Sequence, residues 1–380
     1  MQRGFAPQEF EERLSRAQIM MAREGLDALL LTTEPDVRYF SGFLTRFWES
    51  PSRPWFLVVP AAGKPIAVIP SIGAALMEKT WIDDIRTWRA PDVDDDGVSL
   101  LANTLNDLGA KHVGTPTGHE SHLRMPLGDW QKLQAALQGT VRDDARIVAR
   151  LRAQKSEAEV AKIAHACAIA GRAFARVPEI ASAGVPLSAV FRDFQRLCLE
   201  EGADWVPYLA GGAEKNGYAD VISPASDTPL QLGDILMLDT GLVWDGYFCD
   251  FDRNFSMGEA SSLVSAAHVK LIDAVEAAAG IARAGTTAAE LFHAMDQIVT
   301  GGAGGSDAGR LGHGLGMQLT EGLSLIPQDH TVLRAGMVIT LEPGIETENG
   351  KVLVHEEDIL ITEGTPRFLS PRSGPDMVQL

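Results

Sequence analysis

The chain has 380 residues, of which 45% are apolar and 22% are charged, a composition typical of folded globular proteins and not of disordered or fibrous ones. At this length two domains are expected, and the net charge of −18 disfavours nucleic acid as a partner because an acidic surface repels phosphate. The sequence has no apolar run of about 18 residues and no signal-peptide pattern near residue 1, so we expect no membrane partner. The three scattered cysteines favour a reducing cytoplasm.

The first part of the chain is predicted to form an α/β domain. Residues 8–25 have the spacing of an amphipathic helix, with Phe10, Leu14, Ile19 and Met20 among its apolar positions. Residues 97–109 form a second predicted helix that ends at a glycine. Short apolar runs predict strands at 28–33, 54–60, 64–70 and 111–116. Helices that alternate with buried strands are typical of an α/β layer, and we place the end of this domain at residue 147.

The second part, residues 148–380, predicts helices followed by strands, twice over. Ser156 and Glu159 have the spacing of a capping box, and a long helix follows them. The other predicted elements are a helix at 186–202, strands from 204 to 258, helices at 262–283 and 287–299, and strands beyond them. The segment AGVPLSAVF (183–191) matches AGTTAAELF (284–292) at an offset of 101 residues. This match predicts two similar halves related by a pseudo-twofold axis.

Acidic residues interrupt apolar strands in this second part. Asp239 ends the strand ILMLD, and Asp250 lies in YFCDF after a turn at Asp245-Gly246. A carboxylate among apolar neighbours costs several kcal/mol unless it is paired or binds a metal. Two such carboxylates on adjacent strands therefore indicate a cation between them.

Three later motifs extend this set. His313 lies between glycines in GHGLG, which allow close backbone approach, and Glu342 ends the strand of VITLEPG. The strand KVLVHEEDILIT holds Glu356 and Glu357, and only one of the two can face the site because successive strand residues point to opposite faces. One histidine and four carboxylates favour two ions of Mn²⁺, Co²⁺, Zn²⁺ or Fe²⁺ over a structural zinc. Two such ions about 3.5–4 Å apart can activate a water and polarise a carbonyl.

The ordered set resembles the pita-bread metallohydrolases: methionine aminopeptidase, aminopeptidase P and prolidase, with creatinase as a metal-free cousin. The matching motifs are Asp239-Thr240-Gly241, Gly246-Tyr247, Asp250 eleven residues after Asp239, Arg253, the GHGxG segment and the EPG turn. Alignment of ILIT (359–362) on the family's final strand selects Glu356 as the ligand. The segment DVRYFSGF (36–43) resembles the N-terminal domain of the prolidase and creatinase branch.

The resemblance implies an α/β (α+β) protein with a creatinase-type N-terminal domain (1–147), a pita-bread catalytic domain (148–380) and a homodimeric assembly. It implies that Asp239 and Asp250 bridge or chelate two ions, that His313 and Glu342 bind one of them, and that Glu356 bridges both. The ions would be Mn²⁺ by preference, the substrate an Xaa-Pro dipeptide or short peptide, and Glu342 the proton shuttle. Candidate substrate-binding residues are Arg46, Trp48, Arg53, Trp55 and Tyr218.

Some positions depart from the family pattern. The family has a histidine seven residues after the GHG ligand, where this chain has Thr320, and another before the first aspartate, whereas no histidine occurs here between His165 and His268. Asp252 replaces a family threonine and could be a further ligand, while Glu321 could serve as an acid or base. These changes leave two alternatives open: a hydrolase or lyase acting on a small amide, cyclic or betaine-like compound, and a catalytically silent binding module.

Overall fold

The computed structural model describes residues 2–50, 53–305 and 309–380. By its internal contacts the chain divides into two compact units, Met1–Arg152 and Ala153–Leu380. Both units combine helices with sheets, so the predicted α/β class is confirmed. Within the described ranges no helix has the length and apolar character needed to cross a bilayer.

The N-terminal unit is built on a six-stranded mixed sheet. Its strands are β1 (Ala28–Leu31), β2 (Phe56–Pro60), β3 (Ile66–Pro70), β4 (Asp84–Trp88), β5 (His112–Thr115) and β6 (Thr140–Asp143), in the spatial order β4-β3-β2-β1-β5-β6. Its helices are α1 (Pro7–Glu24), α2 (Glu34–Ser41), α3 (Ala74–Met77), α4 (Val98–Asp107), α5 (Leu127–Ala136) and α6 (Ile147–Ala153), the last of which runs into the second unit. The four strands predicted from apolar runs are present, and β4 and β6 were missed because their residues are largely exposed or half-buried.

Helix α1 shows how the sequence sets these elements. It starts at Pro7, whose fixed φ suits a first helical position, and ends at Glu24, where Gly25 caps it with φ 64°. Its buried face includes Phe10, Leu14 and Met21, whereas Ile19, one of the apolar positions of the predicted helix, is exposed.

The second unit contains the predicted site. Its helices are α7 (Glu157–Ala175), α8 (Leu187–Glu200), α9 (Ser262–Ile281) and α10 (Ala288–Val299). Its strands are β7 (Trp205–Lys215), β8 (Asp234–Trp244), β9 (Tyr247–Phe248), β10 (Phe251–Ser256), β11 (Val338–Leu341), β12 (Gly344–Glu346), β13 (Val352–Val354), β14 (Glu357–Leu360), β15 (Arg367–Phe368) and β16 (Val378–Gln379). One sheet has the order β16-β10-β8-β7 with β9 paired to β8, a second has the order β11-β14-β15, and β12 pairs with β13.

The internal repeat has a structural counterpart. Helix pairs α7–α8 and α9–α10 recur, and the joint inside each pair lies in one of the two matched segments. At the first joint the backbone N–H of Gly184 donates to the carbonyl of Leu230 over 2.8 Å. At the second, the N–H of Gly285 donates to the carbonyl of Leu333 over 2.9 Å. The same joint therefore occurs twice at the predicted offset, as expected of two similar halves.

Candidate active site

The five predicted ligands come from separate elements of the second unit. Asp239 lies in the middle of β8, and Asp250 immediately precedes β10, the strand antiparallel to β8. Glu342 follows β11, and Glu356 immediately precedes β14, which pairs antiparallel with β11. The two strand pairs thus each contribute two carboxylates.

His313 is held beside β11 by its backbone. Its N–H donates to Thr340 Oγ1 over 3.1 Å, and its carbonyl accepts from the N–H of Thr340 over 2.8 Å. The neighbouring Gly314 must lack a side chain, because a Cβ there would lie 2.0 Å from the carbonyl oxygen of Glu321. The glycine after the histidine therefore permits the tight backbone packing that fixes the imidazole.

The structure brings three of the predicted ligands together closely. Asp250, His313 and Glu356 are all buried, and each offers one ligand atom within 4.8 Å of the other two. His313 Nε2 lies 3.3 Å from Asp250 Oδ2 and 4.0 Å from Glu342 Oε1. Such a spacing suits side chains that converge on a common cation.

The protonation state of His313 is also suited to a metal. Its Nδ1 lies 2.9 Å from the carbonyl of Gly314, so Nδ1–H donates there and the lone pair of Nε2 faces the carboxylates. Burial, followed by the positive charge of Arg310, lowers the pKa of His313 to about 4, so the imidazole is neutral at pH 7. A neutral imidazole with a free lone pair is the form that binds metal ions.

The four carboxylates resist ionisation in the absence of a cation. Burial is the main cause, and it raises the pKa of Asp239 to about 6 and that of Glu342 to about 8. The pKa values of Asp250 and Glu356 are also raised, first by burial and then by the negative charges of neighbouring carboxylates. Such a cluster is stabilised by positive charge.

Unpartnered oxygens provide a direct test of whether divalent ions fit. Asp239 Oδ1 and Glu356 Oε1 are buried and have no hydrogen-bond partner among the residues that the structure describes. The lone pair of His313 Nε2 also faces acceptors. Buried acceptors without donors cost free energy unless a cation or proton satisfies them, so these residues fit divalent ions.

Glu357 lies in a different environment from its neighbour Glu356. Its carboxylate is 3.0 Å from Arg253 Nη2 and 3.2 Å from His355 Nε2, and it accepts a hydrogen bond from Ser370 Oγ. Burial opposes its ionisation, but the charge of Arg253 and the hydrogen bonds from His355 and Ser370 outweigh it and lower the pKa of Glu357 to about 2. Glu357 is therefore fully occupied by an ion-pair network.

Two supporting residues were missed in the sequence. Tyr208 on β7 donates its hydroxyl to Asp239 Oδ2 over 2.9 Å, and Asp358 accepts the N–H of Asp250 at 3.0 Å and the thiol of Cys167 at 3.2 Å. Both residues orient a predicted ligand. Pairing of β7 with β8 was the signal that could have identified Tyr208, since Tyr208 lies opposite Gly241 in the register.

Arg310 was also missed, although it lies only three residues before His313. Its Nε is 3.6 Å from Glu342 Oε1, and its Nη2 donates to Thr320 Oγ1 over 2.9 Å. An arginine in a glycine-rich segment, three residues before a predicted ligand, was the signal available. Thr320, which replaces a family histidine, therefore contacts the guanidinium of Arg310 beside the predicted metal site.

Asp252 lies between the predicted metal ligands and the ion-pair network of Glu357. Its Oδ1 accepts the backbone N–H of Glu356 over 2.7 Å, and it lies directly opposite Asp239 in the strand register. His355 Nδ1 lies 3.7 Å from the same Oδ1. Asp252 thus fixes the backbone of Glu356 and borders the site.

Two predicted site residues need correction. Glu321 Oε1 forms a buried ion pair with Lys155 Nζ at 2.9 Å, so its carboxylate is engaged and not poised as an acid or base. Tyr218 is buried in the core, where its hydroxyl donates to Asn254 Oδ1 and accepts the N–H of Val354. The burial of Tyr218 and these two hydrogen bonds therefore speak against the prediction that it contacts substrate.

The four candidate substrate-binding residues of the N-terminal unit fall into two groups, two buried tryptophans and two arginines. Trp55 is fully buried and packs against Phe43 and Trp48, and Trp48 is buried as well, so these indoles belong to an aromatic cluster and not to a substrate wall. Arg46 pairs with Glu49 on the surface, and Arg53 stacks on the Phe47 ring. Pro51 and Ser52 of the same predicted segment lie outside the described residues.

Comparison with known proteins identifies the family. Residues 161–363 match the model of metallopeptidase family M24, and residues 13–154 match the creatinase/prolidase N-terminal domain. The chain belongs to the M24 metallopeptidases. This M24 enzyme is 29% identical to the probable dipeptidase PepE of Mycobacterium tuberculosis over 364 residues, which are 95% of this chain and 94% of that one.

Other relatives agree with this assignment. The Xaa-Pro dipeptidase of Pyrococcus horikoshii is 26% identical over 364 residues, covering 94% of this M24 enzyme and 97% of the relative. The crystal structure of dipeptidase PepE from Mycobacterium ulcerans superposes with a TM-score of 0.84 at 27% identity and covers 99% of both chains. The resemblance to the pita-bread metallohydrolases, the two-part fold and the class of metal-dependent amide hydrolase are therefore confirmed. The small-molecule and silent-module alternatives are not favoured.

Proposed function

We propose that this M24 enzyme is an Xaa-Pro dipeptidase that uses two divalent ions, Mn²⁺ by preference. The ions would be held by one histidine and four carboxylates, namely Asp239, Asp250, His313, Glu342 and Glu356. The observation that supports this most is the convergence of neutral His313 with raised-pKa carboxylates that have unpartnered oxygens. The names of relatives that align over nearly the full chain support the peptide substrate.

The bound ions would supply a Lewis acid for the scissile carbonyl and would lower the pKa of a water molecule. Tyr208 keeps Asp239 oriented through its hydroxyl, and the carbonyl of Gly314 keeps Nε2 of His313 directed at the site. Glu342 is suited to carry a proton from the attacking water to the leaving nitrogen, because a quarter of its side chain is exposed while Asp250 and His313 are buried.

The proposal also includes assembly and location. A homodimer would allow Arg46 and Arg53 of the N-terminal domain to serve as substrate contacts, and both retain guanidinium groups suited to a carboxylate. A cytoplasmic location is supported by three free cysteines. A net charge of −18 supports peptides over nucleic acids as partners, and we propose no membrane partner.

The direct test is turnover of an Xaa-Pro dipeptide series by the purified, full-length protein loaded with Mn²⁺, Co²⁺, Zn²⁺ or Fe²⁺. We expect cleavage of Xaa-Pro dipeptides, loss of activity on chelation and recovery on addition of Mn²⁺. Matched Xaa-Ala dipeptides and small cyclic amides serve as controls for specificity. Cleavage of the small amides without cleavage of any dipeptide would contradict the proposal.

A ligand variant provides the internal control. Asp250→Ala should abolish metal-dependent turnover, whereas Glu346→Ala, which changes an exposed acid on β12, should leave it unchanged. Equal activity of Asp250→Ala and the parent protein would overturn the assignment of this site.

A further inference from the structure

We propose that Asp252 is a further ligand of the metal centre, and that its Oδ2 forms with Asp239 an oxygen-only subsite that selects Mn²⁺ over Zn²⁺. This inference rests on the proposed metal-dependent function and adds a residue to its ligand set. It also assigns a role to an aspartate that stands where the family pattern has a threonine.

The first argument is the placement of Asp252 on the face of the sheet that carries predicted ligands. In the antiparallel register of β8 and β10, Asp252 lies directly opposite Asp239, and directly opposed residues point to the same face. Asp250 immediately precedes β10 and is two residues from Asp252, so strand alternation places it on that face as well. Asp252 is therefore a third carboxylate on the side of the sheet where metal ions are expected.

The second argument is that each of the two opposed aspartates has one oxygen held and one oxygen free. Asp252 Oδ1 accepts the backbone N–H of Glu356 over 2.7 Å, and Asp239 Oδ2 accepts the hydroxyl of Tyr208 over 2.9 Å. The other two oxygens, Asp252 Oδ2 and Asp239 Oδ1, are buried and have no hydrogen-bond partner within the described parts of the chain. Like charges directly opposite each other destabilise a sheet, and buried acceptors without donors cost free energy. A cation that binds both free oxygens removes both costs.

The third argument is that two basic side chains beside Asp252 are directed at Glu357. Arg253 Nη2 lies 3.0 Å from Glu357 Oε2, and Arg253 Nη1 donates to the carbonyl of Glu356 over 3.0 Å. His355 Nε2 lies 3.2 Å from Glu357 Oε1, whereas its Nδ1 lies 3.7 Å from Asp252 Oδ1, which is too far for a hydrogen bond. Neither side chain donates to Asp252 Oδ2, so this oxygen is left for a metal ion.

The fourth argument concerns the identity of the metal. Asp250, His313 and Glu356 converge within 4.8 Å and include an imidazole nitrogen, whereas Asp239 and Asp252 contribute oxygen alone. Imidazole suits Zn²⁺, which is usually satisfied by four ligands, while an octahedral set of oxygens suits Mn²⁺. An additional carboxylate beside Asp239 therefore favours Mn²⁺ more than it favours Zn²⁺.

The test titrates metal-free parent and variant proteins with Mn²⁺ and with Zn²⁺ by calorimetry. Asp252→Asn should bind one Mn²⁺ about 30-fold more weakly than the parent protein, while its affinity for Zn²⁺ should change less than about threefold. The matched control is Asp296→Asn, which removes another buried carboxylate, one that accepts the N–H groups of Gly304 and Gly305. It should match the parent for both metals.

The choice of asparagine separates coordination from positioning. Its amide oxygen still accepts the N–H of Glu356, but its NH₂ group replaces Oδ2 and cannot bind a cation. If Asp252 acted only by holding the backbone of Glu356, asparagine would keep the affinity for Mn²⁺. Asp252→Thr, which introduces the family residue and a β-branched side chain suited to a strand, should also lose the preference for Mn²⁺. A parent-like affinity for Mn²⁺ in Asp252→Asn overturns the inference.

A second readout requires neither substrate nor turnover. Asp252→Asn removes a negative charge opposite Asp239, so urea denaturation should show the metal-free variant to be at least as stable as the parent. Addition of Mn²⁺ should then raise its Tm less than that of the parent. A metal-free variant that is less stable than the parent, with an unchanged rise in Tm, would make Asp252 purely structural and overturn the inference. Absence of Xaa-Pro cleavage by the parent would refute the proposed function, whereas the metal titrations alone decide this inference.

Discussion

Glu356 and Glu357 are adjacent in the chain, but their carboxylates lie in two different environments. Glu356 joins Asp250 and His313, keeps an unpartnered Oε1 and has a raised pKa. Glu357 pairs with Arg253 and has its pKa lowered to about 2. Both residues are buried, so burial alone does not explain the difference.

The difference lies in the groups that surround each carboxylate. Glu357 is surrounded by hydrogen-bond donors and by the guanidinium of Arg253, so its ion pair is complete within the folded chain. Glu356 is instead surrounded by further carboxylates, whose negative charges add to the effect of burial and raise its pKa. The first environment is expected to contribute to stability and the second to be stabilised only by bound ions. Paired substitutions at these two positions test this division.

The largest effect is expected for Glu356→Gln. Loss of this carboxylate should weaken metal binding and lower metal-dependent turnover at least about 100-fold, more than the 10- to 100-fold that loss of an outer-shell partner costs. The metal content of the purified variant and its turnover measure this. In the metal-free state the variant should be no less stable than the parent, because removal of the charge relieves repulsion with Asp250.

The matching change on the other side is Glu357→Gln. It leaves the charge of Arg253, whose side chain is only 12% exposed, without its ion-pair partner, which should lower the free energy of unfolding by about 3 kcal/mol. Urea denaturation of the metal-free proteins measures this effect. Glu276→Gln, which removes the exposed partner of Arg372, is the control and should cause a much smaller change. A Glu357→Gln protein that is as stable as the parent but has lost its metals would contradict the assignment of a stabilising role to Glu357 and a metal-binding role to Glu356.

The sequence predicted the side chains that converge in the structure much better than the residues around them. Asp239 and Asp250 are eleven residues apart in one hairpin, so a local motif was enough to identify them. Tyr208 approaches Asp239 only through the pairing of β7 with β8, and Arg253 meets Glu357 across more than 100 residues. Such contacts depend on strand register and side-chain direction, which a single sequence does not specify.

Aromatic residues show the same limit of a single sequence, because some that were predicted to bind substrate are buried in the structure. Trp55 and Tyr218 lie near recognisable motifs, and an aromatic side chain is equally suited to a substrate wall and to a core. Trp55 packs on Phe43, and Tyr218 bonds to Asn254, so both are structural. Only the burial of each ring, a consequence of the packing of several elements, distinguishes the two roles.

A smaller effect, on metal affinity, is expected for Tyr208→Phe, which tests the surroundings of the predicted metal ligands. The variant loses only the hydroxyl that donates to Asp239 Oδ2, so the site keeps all five ligands. We expect about a tenfold loss of affinity for one of the two ions, the lower end of the range for an outer-shell partner. Mn²⁺ titration by calorimetry measures this. Tyr218→Phe is the matched control, since it removes a buried hydroxyl that does not contact a ligand, and equal Mn²⁺ affinities for the two variants would contradict the role of Tyr208.

The smallest effect is a pH dependence of the stabilisation by Mn²⁺. Burial raises the pKa of Asp239 from 3.8 to about 6 and that of Glu342 from 4.5 to about 8 in the metal-free fold. Between the ordinary and the raised pKa values the unfolded chain binds fewer protons than the folded one. The stability of the metal-free protein should therefore fall as the pH rises from about 4 to about 8.

Bound ions should oppose this loss, because ligands bind metal in their deprotonated form. The increase in Tm on addition of Mn²⁺ should thus grow between about pH 5.5 and pH 8, by a few degrees if the differential effect is about 1 kcal/mol. Thermal denaturation with Mn²⁺ or with chelator at each pH measures it, and Glu356→Gln should show a smaller increase and a flatter trend. Glu357 contributes nothing to this window, since its lowered pKa makes its own stabilisation complete above about pH 4.5 and lost only towards pH 2. An increase in Tm that is the same at both pH values would show that protons do not compete with Mn²⁺ at this cluster.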